Sequence, residues 1–458
     1  MDNMTRVIAD YASSLTFAEV PDEVVRAAKQ RMVDSLACAI AAYECEPARI
    51  GRRLARGAIP ERYVGRILGF GERTTAQDAA FVNTAMIRNL DFNDQYPGGH
   101  PSDCLGAFLA IAEAAKADGR RLLSSMVVAY ELFVRLNDAT GLRMKGWDQG
   151  FVIGVCTAAG VGHLLQLSPK VLAEAIAIVS VANVPMRNTR AGELSLWKGT
   201  ATAFATRNGV FAALLATEGM TGPDRPFEGK HGLWDLITGP FVLEPLSGRG
   251  GTFRTPEVQL KYWPLEYNAQ LVVWAALELR SKVDLHDLVE INIGTYRFAH
   301  SEIGSEPEKW DPKTRETADH SLPYIFAKTL VDGTINVAAF EETAYRDPSL
   351  RPLMAKIRVR IDEAVDAIYP AVVSMKVEAK TVSGERIVFE PRDPLGHGNN
   401  PMQDKDVDAK FLTAAETVLG KSRASQALTR WRDLENLSDL SEALDLLSAP
   451  SALPILST

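Results

Sequence analysis

The chain has 458 residues, 46% of them hydrophobic and 24% charged, enough to bury a sizeable core and to form two or three domains. Its net charge of −8 gives no overall basic field for nucleic acid, so a bound anion would need positive charge placed locally. No run of about 18 apolar residues is present, so no membrane-spanning helix is expected.

The N-terminus, "MDNMTRVIADYASSL", lacks a basic stretch followed by an apolar one and does not read as a secretory signal. "PDEVVRAAKQRMVDSLACAIAAY" carries apolar residues at helical spacing, with Pro21 suited to a first turn. "TTAQDAAFVNTAMIRNLDF" starts from a Thr cap and runs into the polar loop "LDFNDQYPGGHPSDC". Ser102 or Asp103 is then expected to cap "CLGAFLAIAEAAKADG", which stops at Gly119. "LSPKVLAEAIAIVSVAN" has Ser168 as cap and Pro169 at its first helical position. "LSLWKGTATAFATRNGVFAALLATEGMTGP" reads as one long helix closed by Gly219.

Near residue 255 the texture changes. "VEINIGTYRFA" and "MAKIRVRID" are strand-like, "VQLKYWP" reads as a strand end, and "AVVSMKVEAKTVSGERIVFEP" reads as a hairpin turning at "SG". Helices interrupt this section at "NAQLVVWAALELRSK" and after "TRETADHSLPY", and helical spacing returns from about Asp404. The expected fold is mainly α with an α+β part: a large all-α domain from residues 1–255 and 401–458, and a smaller inserted α+β domain over 256–400.

Cys38, Cys45, Cys104 and Cys156 form no CxxC pair, so a reducing compartment is expected and a Cys-rich metal site is not. A cytoplasmic location follows as the expectation.

Polar residues that could carry chemistry gather in a few stretches. The loop after residue 90 holds Asp91, Asn93, Asp94, His100, Ser102 and Asp103; "KGWDQGF" holds Asp148 and Gln149; "MRNTRAGELSLWKGTA" holds Arg187, Arg190 and Lys198. "LKYWPLEYNAQ" holds Lys261 and Glu266, and "TRETADHSLPYIFA" holds Arg315, Asp319, His320 and Tyr324; His397 is a weaker candidate. Lys198 sits among Leu194, Leu196, Trp197 and Phe204. A lysine buried there needs an anionic partner, a bound anion or a lowered pKa, whereas a lysine on a solvated face needs none. Strand alternation could equally turn Lys261 outward. His163, within "GVGHLLQL", reads as structural. HExxH, GxSxG, P-loop and dinucleotide-binding signatures are all absent, and one histidine near the carboxylates of the loop is thin support for a metal.

Taken in order, "LDFNDQYPGGHPSD", "RAGELSLWKG", "GMTGPDRPFEG", "LKYWP", "TRETADHSLPYI" and "GHGNNPM" resemble the MmgE/PrpD family, typified by 2-methylcitrate dehydratase, across residues 5 to about 420. Cis-aconitate decarboxylase and iminodisuccinate epimerase are other members. The resemblance implies a helical domain joined to a smaller α+β domain, a homodimer, and a site at the domain junction that uses neither metal nor organic cofactor. It implies catalytic roles for Asp91, His100, Lys198, Lys261 and Tyr324. Asp94, Ser102, Gln149, Arg187, Arg190 and His320 are expected to bind substrate. Many relatives carry histidine where this chain has Gln149.

The implied reaction, dehydration of a small di- or tricarboxylate, removes a proton beside a carboxylate and expels a neighbouring hydroxyl. Cations stabilise the charge that develops on that carboxylate, the part expected of Lys198 and Lys261. Arg187 and Arg190 suit bidentate clamping of other carboxylates. His100 is expected as the general acid, with Asp91 orienting it or acting as base. Epimerisation and decarboxylation pass through, or near, the same carboxylate-stabilised carbanion.

Overall fold

A computed structural model describes residues 1–449. Two hydrophobic cores organise them. The first draws on residues 4–260 and 402–447, the second on residues 265–379.

The first core is built from helices α1 (Asn3–Ser14), α2 (Asp22–Ala41), α3 (Glu46–Ala55), α4 (Ala76–Arg88), α5 (Leu105–Ile111), α6 (Gly119–Thr140), α7 (Gly150–Leu164), α8 (Pro169–Ala182) and α9 (Ala201–Thr217). Apolar on every face, α7 lies at the centre, packed against α6, α8 and α9. The caps follow the sequence: Thr75 accepts from the Asp78 amide at the start of α4, and Ser168 from the Val171 amide at the start of α8. Between α3 and α4 lies a short antiparallel ribbon, β1 (Val64–Arg66) with β2 (Arg73–Thr75), which helical periodicity did not announce.

Three local expectations are corrected. Neither Ser102 nor Asp103 caps a helix: Pro101–Cys104 forms a 3-10 turn continuous with α5, and both side chains turn inward. α5 ends at Ile111, and Asp118 caps α6 by accepting from the Arg121 amide. Finally, α9 begins only at Ala201, so Lys198 belongs to the 3-10 turn Leu196–Gly199 before it.

The second core surrounds α10 (Gln270–Arg280), the helix Leu322–Asp332 and a four-stranded sheet of β3 (Leu288–Thr295), β4 (Ile357–Ile361), β5 (Met375–Thr381) and β6 (Arg386–Phe389) in the order β4-β3-β5-β6. β5 and β6 form the expected hairpin across Ser383-Gly384. β3 pairs antiparallel with β5 and parallel with β4, in register at Ile291 with Ile357. Parallel neighbours need a long crossover. That crossover carries Asp319 and His320 in the break between two capped helices, Arg315–Ala318 and Leu322–Asp332.

"VQLKYWP" is not a strand; Gln259 makes only an isolated bridge to Gln95 before the chain turns into the second core. The helices Asp404–Leu419 and Lys421–Arg432 return to α2. Among the described residues, no helix is long and apolar enough to cross a membrane. The four cysteines are free.

Candidate active site

At the junction of the two cores the loop after α4 turns sharply. Asp91 has φ 48°, left-handed backbone that Asp tolerates better than most residues. Its buried carboxylate collects three cations: Arg88 Nη1 at 2.7 Å and Lys261 Nζ at 2.5 Å on Oδ1, and Lys198 Nζ at 2.6 Å on Oδ2. Lys261 also donates to the Asp91 carbonyl at 2.7 Å. Burial alone would raise the Asp91 carboxyl, but Arg88, Lys198 and Lys261 outweigh it and hold the group well below the usual carboxylate range. Asp91 is therefore a permanent carboxylate that gathers lysines, a poor proton acceptor. The expectation that it serves as base does not fit this geometry.

Lys198 is only 3% exposed, so its anionic partners are needed, not incidental. It also lies 3.9 Å from Asp319 Oδ1. Its loop is fixed to the crossover helix by Thr314, whose hydroxyl donates to the Leu194 carbonyl, and by Thr317, whose hydroxyl accepts from the Leu194 amide. Lys261 is fully buried, and burial lowers its pKa despite Asp91. Lys410 clamps its backbone: the Lys410 ammonium donates to the carbonyls of Phe92 and Lys261 and to Asp34 Oδ1, at 2.7, 3.1 and 2.6 Å. The helix Asp404–Leu419 thus ties together the two segments that carry Asp91 and Lys261.

Two imidazoles face the cluster. His100 Nδ1 lies 2.6 Å from the Asp94 carbonyl, which can only accept, so Nδ1 carries the hydrogen and Nε2 is left as a lone pair 4.0 Å from Asp91. Burial, then Arg88 and Lys261, push its pKa well below the ordinary histidine value. His320 repeats the design. Its Nδ1 lies 2.5 Å from Asp319 Oδ1 and its Nε2 3.6 Å from Asp91 Oδ2, and burial with Lys198 lowers its pKa to about 4. Both are neutral near pH 7 and present a bare Nε2, so His100 is arranged as a base and not as the expected acid.

The tight loop before His100 explains its placement. A Cβ on Gly98, at φ 106°, would meet the Asn137 amide at 2.2 Å, and one on Gly99 would lie 1.8 Å from Gln149 Oε1. Gln149 accepts from the His100 main-chain amide at 2.8 Å. Gln149 thus holds the histidine loop.

A cleft with an empty volume of ≈ 550 Å³ opens over these groups. Of the expected site residues, Asp91, His100, Gln149, Arg187, Arg190, Lys261 and His320 line it, with Lys198 just beneath Asp91. Four candidates are placed elsewhere. Tyr324 lies in the second core, where its hydroxyl donates to the Ala339 carbonyl. Asp94 accepts from Ser102 and Tyr130 behind the loop, its carboxyl raised to about 6 by burial, and Ser102 is consumed in that contact. His397 pairs with Asp393 in a separate cleft beside α2.

Sequence reasoning missed Arg88, Arg143, Phe298 and Glu302, all of which line the cleft. Arg88, an arginine in the apolar run "AMIRNL", was the one with a signal. Glu266, to which the sequence assigned no role, lines the cleft too, and burial together with Asp91 raises its carboxyl to about 7. Asp91, Asp319 and His320 present donor atoms within 4.8 Å of one another, the one such group among the described residues. The Lys198 ammonium, close to both carboxylates, already supplies the positive charge a metal would bring there.

Comparison with known proteins agrees with this architecture. The MmgE/PrpD N-terminal domain model matches residues 6–245, and the MmgE/PrpD C-terminal domain model matches residues 263–435. The chain is 25% identical to the cis-aconitate decarboxylase of Homo sapiens, over 98% of this chain and 96% of that protein. It is 27% identical to the 2-methylcitrate dehydratase of Cupriavidus necator, over 86% of each, and to that of Salmonella typhi, over 74% of each.

Proposed function

The chain belongs to the MmgE/PrpD family, and from that premise we propose that it is a cofactor-independent hydro-lyase of the 2-methylcitrate dehydratase type, acting on a small β-hydroxy polycarboxylate. The observation that carries this reading is the pair of neutral imidazoles with bare Nε2 atoms facing a cleft lined by Lys261. Such a site removes a carbon-bound proton.

His100 Nε2 takes the proton from the carbon beside a substrate carboxylate. Lys261, with Lys198 behind Asp91, stabilises the charge delocalised onto that carboxylate. The electron pair becomes the C=C bond, the C–O bond breaks, and hydroxide leaves as water with a proton from Glu266. The proton held by His100 then returns to Glu266 through solvent, closing the cycle. His320, oriented by Asp319, is placed to bind the leaving hydroxyl or to act as a second base.

Similarity to cis-aconitate decarboxylases over nearly the whole chain supports a second reading, in which carbon dioxide leaves and Glu266 protonates the carbanion. Mass spectrometry separates the two: the purified protein is incubated with citrate, 2-methylcitrate, malate and cis-aconitate in deuterated buffer. Loss of water supports the hydro-lyase and loss of carbon dioxide the decarboxylase. Deuterium gain without other mass change marks an epimerase. His100→Gln is expected to slow dehydration by roughly 10²–10⁴-fold, the contribution of one positioned base. Near-normal turnover in that variant overturns the assignment of His100.

A further inference from the structure

The rim of the cleft holds an arrangement the reaction does not use. Arg143 and Arg187, from the helical part, both reach one oxygen of Glu302, from the α+β part, each guanidinium 3.0 Å from Oε1. Glu302 lies in the turn His300–Gly304 that follows β3. Phe298, just before that turn, lies under the Arg143 guanidinium at 4.2 Å from its ring centroid. A carboxylate held by two converging guanidiniums, one of them stacked on an aromatic ring, is the geometry by which a protein binds a ligand carboxylate. Here the protein provides the carboxylate itself.

The remaining cations of the cleft are also engaged. Arg190 grips Asp148 with two nitrogens, at 2.6 and 3.3 Å, and Asp148 is fully buried. Arg88 and Lys261 share Asp91. The five cations that line the cleft thus meet three carboxylates that line it, Asp91, Asp148 and Glu302, while Lys198 behind Asp91 is matched by Asp319, and Glu266 adds a further negative charge when ionised. The surplus is between one and two positive charges. A dianion matches the surplus of two that is present when Glu266 is protonated. A trianion leaves excess negative charge in a partly desolvated cleft, which is costly when no cation remains to pair with it.

We infer that Glu302 occupies the place of a substrate carboxylate and so restricts this chain to dicarboxylates, excluding the larger tricarboxylates. The inference rests on the proposal that the cleft binds carboxylic acids, and it narrows the substrate to a β-hydroxy dicarboxylate.

Two probes test it, succinate and propane-1,2,3-tricarboxylate. They differ by one carboxylate arm, and neither carries the hydroxyl that elimination requires, so calorimetric titration at pH 7.5 reads binding without dehydration. The wild-type protein is expected to bind succinate about tenfold more tightly than the tricarboxylate, the scale of a single charged hydrogen bond. That ranking needs no variant. Glu302→Gln, with its fold checked by thermal melting, keeps the shape but frees both arginines. It is expected to reverse the ranking by tightening the tricarboxylate by more than about tenfold. Equal or tighter tricarboxylate binding by the wild type overturns the inference and leaves the carboxylate cleft standing. So does a succinate preference unchanged in Glu302→Gln. If neither acid binds either protein, the carboxylate-binding reading fails and the inference fails with it.

Discussion

Lys198 Nζ lies 2.6 Å from Asp91 Oδ2, while Lys261 Nζ and Arg88 Nη1 reach the other oxygen of the same carboxylate. One buried anion thus holds together three buried cations drawn from α4, the turn before α9 and the segment linking the two cores. Asp91→Asn leaves those cations facing one another without their counterion. It is expected to destabilise the protein by about 3–5 kcal/mol, the cost of breaking a buried ion pair. Denaturant unfolding of the variant measures this, and a loss below about 1 kcal/mol contradicts the central role of Asp91.

Gln149 holds the loop through the His100 amide. Gln149→Leu leaves that buried N–H without its acceptor, expected to cost about 1–3 kcal/mol. Turnover is expected to fall while the shape of the pH–rate profile is retained, because no titrating group has been removed. A changed profile would instead place Gln149 in proton transfer.

Glu266 supplies the acid in the proposed dehydration, and its carboxyl is raised to about 7. The protonated form is the active one, so kcat is expected to fall as pH rises through about 7. Glu266→Gln removes that limb and slows the reaction by roughly 10²–10⁴-fold. Persistence of the limb in the variant assigns the acid to another group.

His320 titrates near 4 in the fold, against an ordinary value of 6.5. As pH falls below 6.5, the unfolded chain binds a proton that the native protein refuses, and stability is lost progressively until about 4. His100 acts with the same sign. Asp94, Asp103 and Glu266, with raised carboxyls, act oppositely, since over the same interval the native state keeps protons that the unfolded chain has released. The comparison of His320→Gln with wild type isolates the histidine's own contribution: the variant should lose less stability between pH 6.5 and 4. Parallel curves would show that His320 is not neutral by burial.

The helices and the β5–β6 hairpin were legible because burying one face imposes a period, 3.6 or 2, directly on the sequence. Asp91, His100, Lys198 and Lys261 were found because polar groups in apolar stretches break that period, and because the motifs around them resemble a family. Tyr324 shows the limit of that resemblance. Its motif is intact, yet the side chain packs in the second core with its hydroxyl on Ala339.

What the sequence determined by itself was the family, the two-part organisation and the presence of a carboxylate-handling set of lysines, arginines and histidine. The tertiary structure decided the surroundings of each member of that set. Whether an imidazole is acid or base depends on which acceptor meets Nδ1 and how much water burial removes, and the Asp94 carbonyl and Asp319 carboxylate answer that only once folded. The pairing of Glu302 with Arg143 and Arg187 is equally invisible in one dimension: more than a hundred residues separate them, and only the docking of the two parts makes one carboxylate the counterion of both.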